Sequence, residues 1–211
     1  MLRLISATPS PYARKIRIAL AEKNIPFELM TEIPWNSTTR TPLYNPLEKL
    51  PVLLLEDGDS VYESRFILEW LEVHYPDPPM LPSGIDDRLA ARKVEVVCDG
   101  VCDAIVLLFW ERYRAAEHRS TEWMARQLRK VDGGMRALAE WAEDREFVIG
   151  DRFGLADIAV GTVCGYLDVR FAEFPWRIRH PNLATLSDRL ERRPSFQGSV
   201  PVAQVISDKV V

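Results

Sequence analysis

The chain has 211 residues, a formal net charge of −4, and hydrophobic and charged fractions of 47% and 27%, the composition of a folded globular protein rather than a disordered one. Its longest apolar run, residues 104–110, is far shorter than the ~20 residues that a membrane-spanning helix needs. The basic residues form no stripe of the kind that follows a phosphate backbone, so neither a membrane nor a nucleic acid is an expected partner.

The start of the chain and the three cysteines favour a reducing, cytoplasmic compartment. Proline interrupts the first apolar residues before an apolar segment of signal-peptide length develops, so we expect a cytoplasmic protein. Cys98, Cys102 and Cys164 have neither CxxC redox spacing nor the spacing of paired metal ligands. They fit buried thiols in a reducing compartment, and no metal site is expected.

The first 75 residues alternate strand and helix patterns. Ser10 and Pro11 mark the start of the first helix, as N-cap and first helical residue. The predicted elements are a strand at Leu2–Ala7, a helix ending near Lys23, strands at Ile25–Met30, Leu50–Leu55 and 60–62, and a helix from Glu63. The order β-α-β-β-β-α predicts an α/β domain that begins with a βαβ unit.

Prolines mark the end of this domain. Residues 75–85 hold four of the chain's prolines, and we take 76–85 as a linker between domain 1–75 and domain 86–211. The rest of the chain reads as long amphipathic helices, predicted at Asp86–Ala116, Thr121–Asp144, Gly154–Phe171 and Asn182–Glu191. The second domain is therefore predicted to be entirely helical.

Four motifs occur in a fixed order along the chain, at Thr8–Lys15, Asn45–Leu53, Glu63–Ser64 and Gly150–Ile158. Together they resemble the serine- and cysteine-type cytosolic glutathione transferases: a serine-proline helix start, an NPxGKVPVL segment with a cis-proline, an acidic residue followed by serine, and a GxxFSxAD motif. The resemblance covers almost the whole chain. It implies a thioredoxin-like α/β domain followed by an all-α bundle.

Two residues depart from those motifs. Glu48 stands where the family usually has glycine, which affects the geometry of that loop. Gly154 replaces the family's serine or threonine N-cap, while Asp157 remains three residues on, so we expect only half of a capping box.

Ser10 is the candidate catalytic residue. Glutathione reacts as its thiolate, whose unassisted pKa resembles the ~8.5 of free cysteine. A hydroxyl at a helix N-terminus stabilises such an anion by a charge-assisted hydrogen bond and by the helix dipole. Thr8 is a competing hydroxyl two residues earlier, and a plain capping role for Ser10, worth about 1 kcal/mol, is the other interpretation.

The resemblance also implies residues that bind glutathione. Lys49 would meet the glycyl end, and Leu50 with a cis Pro51 would present the backbone of Val52 to the cysteinyl part, in the manner of an added β-strand. From the residues alone, a trans proline at a strand edge and a solvated lysine are the alternatives.

The γ-glutamyl end would bind at the second helix. Ser64 would take its carboxylate at the helix N-terminus and Glu63 its ammonium, although an ordinary capping pair is the alternative. Asp103, on the first helix of the second domain, matches an acidic residue that reaches glutathione bound by the neighbouring subunit, which implies a homodimer. A solvated helical aspartate is the alternative.

The second substrate is expected between Ser10 and the helical domain. Phe109, Trp110 and Tyr113 are candidates for an aromatic wall, with core packing as the alternative. The resemblance implies a detoxifying enzyme that adds glutathione, as co-substrate and without a separate cofactor, to a small hydrophobic electrophile. A glutathione-dependent isomerase or lyase and a noncatalytic binding module remain as alternatives, because one fold serves many functions.

Overall fold

The computed structural model describes all 211 residues and divides into two compact units, Met1–Met80 with Arg193–Val210, and Leu81–Arg192 with Val211. In chain order the strands and helices are β1 Leu2–Ser6, α1 Pro11–Glu22, β2 Phe27–Thr31, β3 Val52–Leu54, β4 Ser60–Tyr62, α2 Ser64–His74, α3 Ile85–Tyr113, α4 Thr121–Ala142, α5 Leu155–Arg170, α6 Trp176–Arg179, α7 Pro181–Leu190 and α8 Pro194–Gln197. The predicted order β-α-β-β-β-α followed by helices is confirmed.

A four-stranded mixed sheet organises the first unit. The strand order is β2-β1-β3-β4, with β1 parallel to β2 and the other pairs antiparallel. Ile5 pairs with Val52, and Val52 pairs with Tyr62. The end of β1, the start of β3 and the end of β4 therefore lie at the same edge of the sheet.

Helix α1 forms because its sequence has both a start signal and an apolar face. Ser10 caps it, Pro11 occupies the first turn, and Ile16 and Leu20 are fully buried. At its end, the buried Lys23 ammonium donates to the carbonyl oxygens of Tyr75 and Pro78 and pairs with Glu72. These two hydrogen bonds and the ion pair join the end of α1 to the end of α2.

Helix α5 forms the centre of the second unit. All residues from Leu155 to Leu167 are buried, so this helix is apolar on every side rather than amphipathic. It packs against α3 and α7, and α3 packs against α4. Gly134 allows that last contact, because a Cβ there would lie 2.3 Å from Cγ2 of Val101.

Asp157 fixes the loop that leads into α5. Its carboxylate accepts hydrogen bonds from the backbone N–H groups of Gly154 and Val148, each at 2.9 Å. Since Gly154 has no side chain, only the Asp157 half of the capping box exists, as expected.

The carboxyl-terminal segment lies with the first unit, which differs from the expectation of one helical domain over 86–211. Arg193 forms two hydrogen bonds with the carboxylate of Glu22, and Arg17 donates to the carbonyl of Gly198. Beyond α8 the segment lacks apolar periodicity, so its backbone is held by hydrogen bonds rather than by helical packing. The division between the units falls after Met80, inside the predicted linker. None of the helices is long and apolar enough to span a membrane.

Candidate functional site

An apolar cluster holds together the segments that meet at the sheet edge. Ile5, Ala7, Leu50 and Val52 belong to it, and Tyr62 packs against it. Ala7 leads into the loop before α1, and Leu50 leads into β3. The cluster therefore sets the position of both loops relative to the end of β4.

The two candidate hydroxyls before α1 have different partners. The Ser10 oxygen accepts a hydrogen bond from the backbone N–H of Ala13 at 3.2 Å, and its own proton donates to no group in the chain. The Thr8 hydroxyl donates to the carbonyl oxygen of Val202 at 2.7 Å, and the Val202 N–H donates back to the Thr8 carbonyl. Ser10 thus keeps its proton for an acceptor at the helix N-terminus, whereas Thr8 uses its proton on the carboxyl-terminal segment.

The segment before β3 is held by an asparagine that sequence analysis did not single out. The peptide between Leu50 and Pro51 is cis, as the resemblance implied. The buried Asn45 side chain donates to the carbonyl of Lys49 at 2.7 Å and accepts from the N–H of Leu47 at 2.9 Å. Asn45 is the first residue of the NPxGKVPVL-like motif, so the motif is the sequence feature that could have identified it. The Lys49 side chain itself is exposed.

Glu48 has a backbone φ of 55°, in the left-handed region. Residues other than glycine, asparagine and aspartate adopt this region at a cost. This conformation accounts for the glycine that the resembled family places here.

The Glu63–Ser64 pair opens α2. Oε1 of Glu63 accepts from the backbone N–H groups of Arg65 and Phe66, at 3.0 and 3.3 Å, so this side chain does cap the helix. Ser64 is 1% exposed, and its hydroxyl has no hydrogen-bond partner. A buried polar group without a partner costs about 1–3 kcal/mol, so the Ser64 hydroxyl is a candidate group for binding a ligand.

The remaining predicted residues lie in the second unit. Asp103 is exposed on α3. Phe109, Trp110 and Tyr113 contact one another, with ring centroids 4.7–5.6 Å apart, and Tyr113 is 57% exposed. They form an aromatic patch at the end of α3, outside the buried core.

Two arginines stack on this region of the second unit. The guanidinium of Arg170 lies 4.1 Å from the ring centroid of Phe109, and that of Arg112 lies 4.0 Å from that of Phe171. Burial raises the pKa of the Tyr166 hydroxyl and that of the Cys164 thiol, and all three cysteines are buried and form no disulfide. Cys164 is therefore a poor nucleophile.

The mixed sheet with its flanking helices is a thioredoxin-like domain, and it is followed by a helical unit. Comparison with known proteins shows which family with this fold the chain belongs to. The glutathione S-transferase amino-terminal domain matches residues 9–74, and the carboxyl-terminal domain matches residues 121–189. The GST-like protein YibF of Escherichia coli K12, described as uncharacterized, is 34% identical, over 95% of this chain and 98% of its own length. The chain belongs to the glutathione S-transferase family.

Two further proteins are relevant to function. A glutathione S-transferase from Methylobacterium radiotolerans, crystallised in complex with glutathione sulfonate, is 65% identical with a TM-score of 0.99, covering 100% of this chain and 99% of that one. The maleylacetoacetate isomerase of Pseudomonas aeruginosa is 28% identical over 96% of this chain and 97% of its own length.

Proposed function

We propose that this protein binds glutathione at the edge where β1, β3 and β4 meet, and transfers it to a small hydrophobic electrophile. The observation that carries the proposal is the buried, unpartnered Ser64 hydroxyl at the start of α2. The complex of the Methylobacterium relative with glutathione sulfonate supports the same ligand.

The dimensions of the edge suit a tripeptide. Neighbouring strands lie about 4.8 Å apart, so β1 and β4 are separated by roughly 10 Å across β3. Three extended residues also span roughly 10 Å. Glutathione can therefore reach from the start of α2 to the start of α1 with its cysteinyl part beside β3.

Each part of glutathione then has a partner of suitable chemistry. The Ser64 hydroxyl and backbone N–H receive the γ-glutamyl carboxylate, since Glu63 Oε1 already accepts from the next two N–H groups of α2. The other oxygen of the Glu63 carboxylate receives the ammonium. Val52 already pairs with Ile5 and Tyr62, so the backbone just before it, at Leu50 and the cis Pro51, is the part left to pair with the cysteinyl residue. Lys49 faces the glycyl carboxylate. The sulfur comes to the Ser10 hydroxyl.

At that position the sulfur is stabilised as its anion. A hydrogen bond to a charged group contributes about 1.5–3 kcal/mol, and a helix N-terminus about 0.3–1 kcal/mol. Together they would lower the pKa of the glutathione thiol from ~8.5 to roughly 6–7. Most of the bound glutathione is then thiolate at neutral pH.

The reaction forms one bond from sulfur to carbon. The thiolate supplies the electron pair, and in a substitution the leaving group departs with the pair of the broken bond. In a conjugate addition, the acceptor takes the displaced pair and then a proton from water. Phe109, Trp110 and Tyr113 are the proposed apolar surface for the electrophile. Asp103 is proposed to reach glutathione in the neighbouring subunit of a cytoplasmic homodimer.

An isomerase is the second candidate, since the Pseudomonas maleylacetoacetate isomerase aligns over nearly the whole chain. In that chemistry the thiolate adds to a conjugated double bond, the new single bond rotates, and the thiolate leaves. Glutathione is regenerated, so a steady glutathione concentration during turnover distinguishes isomerisation from transfer. Binding without turnover of either kind would indicate a noncatalytic module.

Two serine-to-alanine variants test the proposed binding site. Ser64→Ala removes a hydroxyl that has no partner in the chain, so folding stability should stay the same or rise while glutathione affinity falls roughly 10–100-fold. Ser60→Ala is the matched control, because its hydroxyl donates to the Tyr44 carbonyl at 2.8 Å; it should lose stability and keep affinity. Calorimetric titration with glutathione and thermal unfolding measure both. Unchanged affinity in Ser64→Ala would refute the site.

A further inference from the structure

The carboxyl-terminal segment crosses the same edge of the sheet as the proposed glutathione site. The Val202 N–H donates to the Thr8 carbonyl, in the loop after β1, and the Gln204 side-chain amide donates to the Glu32 carbonyl, directly after β2. Because β1 and β2 are parallel, these two loops leave the sheet at one edge. The segment therefore lies across the ends of β1 and β2.

Glutathione and this segment would occupy neighbouring parts of that edge. The proposed glutathione site extends from the start of α2 to the start of α1, whereas the segment extends from the end of β1 to the end of β2. The strand order β2-β1-β3-β4 places the two side by side, and they meet at the loop before α1. The sulfur is the part of glutathione assigned to this loop, so the segment is its neighbour along the edge.

Val202 is the residue that joins the segment to this loop. Its N–H donates to the Thr8 carbonyl at 3.3 Å, and its own carbonyl accepts from the Thr8 hydroxyl at 2.7 Å. Ser10 is two residues farther, at most about 7 Å along the chain, and its N–H donates to the Ala7 carbonyl in a tight turn. The Val202 side chain is 59% exposed. An accessible apolar side chain is therefore held close to the hydroxyl that is proposed to receive the sulfur.

The fixed backbone of Val202 distinguishes it from other exposed residues of the segment. A single exposed valine is common on protein surfaces and indicates nothing by itself. Val205, three residues farther on, is 84% exposed, and its backbone forms no hydrogen bond with the loop before α1. A contact made by a group that is already held in place costs less conformational entropy on binding, so Val202 is the better suited of the two to contact a ligand.

We propose that Val202 is a specificity-determining residue that contacts the apolar group bonded to the glutathione sulfur, and that Thr8 is the positioning residue that holds it there. This inference rests on the proposed function, because it requires glutathione to bind with its sulfur at Ser10. Valine offers aliphatic surface and no polar group, and it covers more of a long substituent than of a short one. The favoured substrates are therefore electrophiles that carry an aliphatic chain of several carbons.

Calorimetric titration with glutathione, S-methylglutathione and S-hexylglutathione tests this contact without requiring turnover. The two S-alkyl compounds differ only in the length of the apolar group on the sulfur. Val202→Ala removes two methyl groups, so it should lower the affinity for S-hexylglutathione roughly 3–10-fold and change the affinities for the other two compounds by less than about twofold. Val205→Ala is the matched control, and all three of its affinities should stay within about twofold of the wild type.

A double-mutant cycle tests the positioning role of Thr8. Thr8→Val keeps the shape of the side chain and removes the hydroxyl that donates to Val202. It should lower the affinity for S-hexylglutathione about 2–5-fold relative to the affinity for glutathione. Combined with Val202→Ala, it should cause little further loss, because Thr8 acts through Val202. Losses that add fully in the double variant would overturn the positioning role.

The same titrations separate this inference from the proposed function. If the wild type binds none of the three compounds, the proposed function fails, and the inference fails with it. If the wild type binds them and Val202→Ala keeps the full affinity for S-hexylglutathione, the Val202 contact is refuted while glutathione binding stands. An equal loss in Val205→Ala would refute the contact in the same way.

Discussion

At the scale of single residues, the two candidate hydroxyls before α1 have different hydrogen-bond partners. Thr8 donates its proton to Val202, so it holds the carboxyl-terminal segment against the loop before α1. Ser10 accepts a helix N–H and keeps its proton. The same side chain can therefore cap the helix and donate to a sulfur anion, and the two interpretations of Ser10 are compatible.

The sequence could not separate these two hydroxyls. Both precede the same helix, and both are types that hydrogen-bond near helix starts. The hydrogen-bond partner of Thr8 is 194 residues away in the chain, in a segment with no periodicity or motif. By contrast, the capping role of Glu63 was predictable, because its hydrogen bonds from Arg65 and Phe66 are local to one helix start.

Glu48 gives a prediction at this scale. It holds a φ of 55°, so Glu48→Gly should raise the free energy of unfolding by about 0.5–1 kcal/mol, after the extra entropy of glycine in the unfolded chain is subtracted. Asn24 has the same φ, but asparagine tolerates this region, and Asn24→Gly should therefore gain little. Urea unfolding of the two variants measures the difference. A loss of stability in Glu48→Gly would contradict this account of the loop.

At the scale of elements, Asp157 makes the start of α5 sensitive to pH. Burial raises the pKa of its carboxyl from 3.8 to about 6, against the opposing effect of hydrogen bonds from Val148 and Gly154. The folded chain thus binds a proton more tightly than the unfolded chain does. Protonation of Asp157 therefore adds to the free energy of unfolding below pH 3.8. This added stability, on the order of 3 kcal/mol, is lost as the pH rises toward 6.

The test compares the wild type with Asp157→Asn, which cannot titrate. The stability of the wild type relative to this variant should decrease between about pH 4 and pH 6.5 and then become constant. Chemical unfolding at a series of pH values provides the curve. A difference that is independent of pH, or that grows with pH, would show that the Asp157 pKa is not raised.

The adjacent glycines of α4 give opposite predictions. Gly133→Ala should stabilise the protein by about 1 kcal/mol, because alanine favours the helix and its Cβ points into open space. Gly134→Ala should destabilise it by about 1–3 kcal/mol, because its Cβ would lie 2.3 Å from Val101. Thermal unfolding compares the two. Equal effects would mean that the packing of α4 against α3 does not distinguish these positions.

Helices were predictable where the sequence has a helix-start signal or apolar residues at helical spacing. The start signal Ser10-Pro11 and the predicted helix from Thr121 agree with α1 and α4. The predicted amphipathic helix over Gly154–Phe171 exists as α5, but it is buried on every side, because the other helices surround it. Burial on all sides depends on those neighbours, so one helix's own sequence does not reveal it.

At the scale of the whole molecule, topology gathers motifs that are far apart in sequence. The antiparallel pairing of β3 with β1 and β4 brings the segments after Ser6, before Val52 and after Tyr62 to one edge. The resemblance predicted this arrangement and the family.

The central claim is that Ser10 stabilises the thiolate of bound glutathione, and ultraviolet difference titration of the enzyme-bound thiol tests it most directly. The wild type and Thr8→Val should both show an apparent thiol pKa of roughly 6–7, whereas in Ser10→Ala it should return close to ~8.5 with glutathione still bound. A wild-type thiol pKa near ~8.5 would contradict the claim. So would a low value that persists in Ser10→Ala and is lost in Thr8→Val.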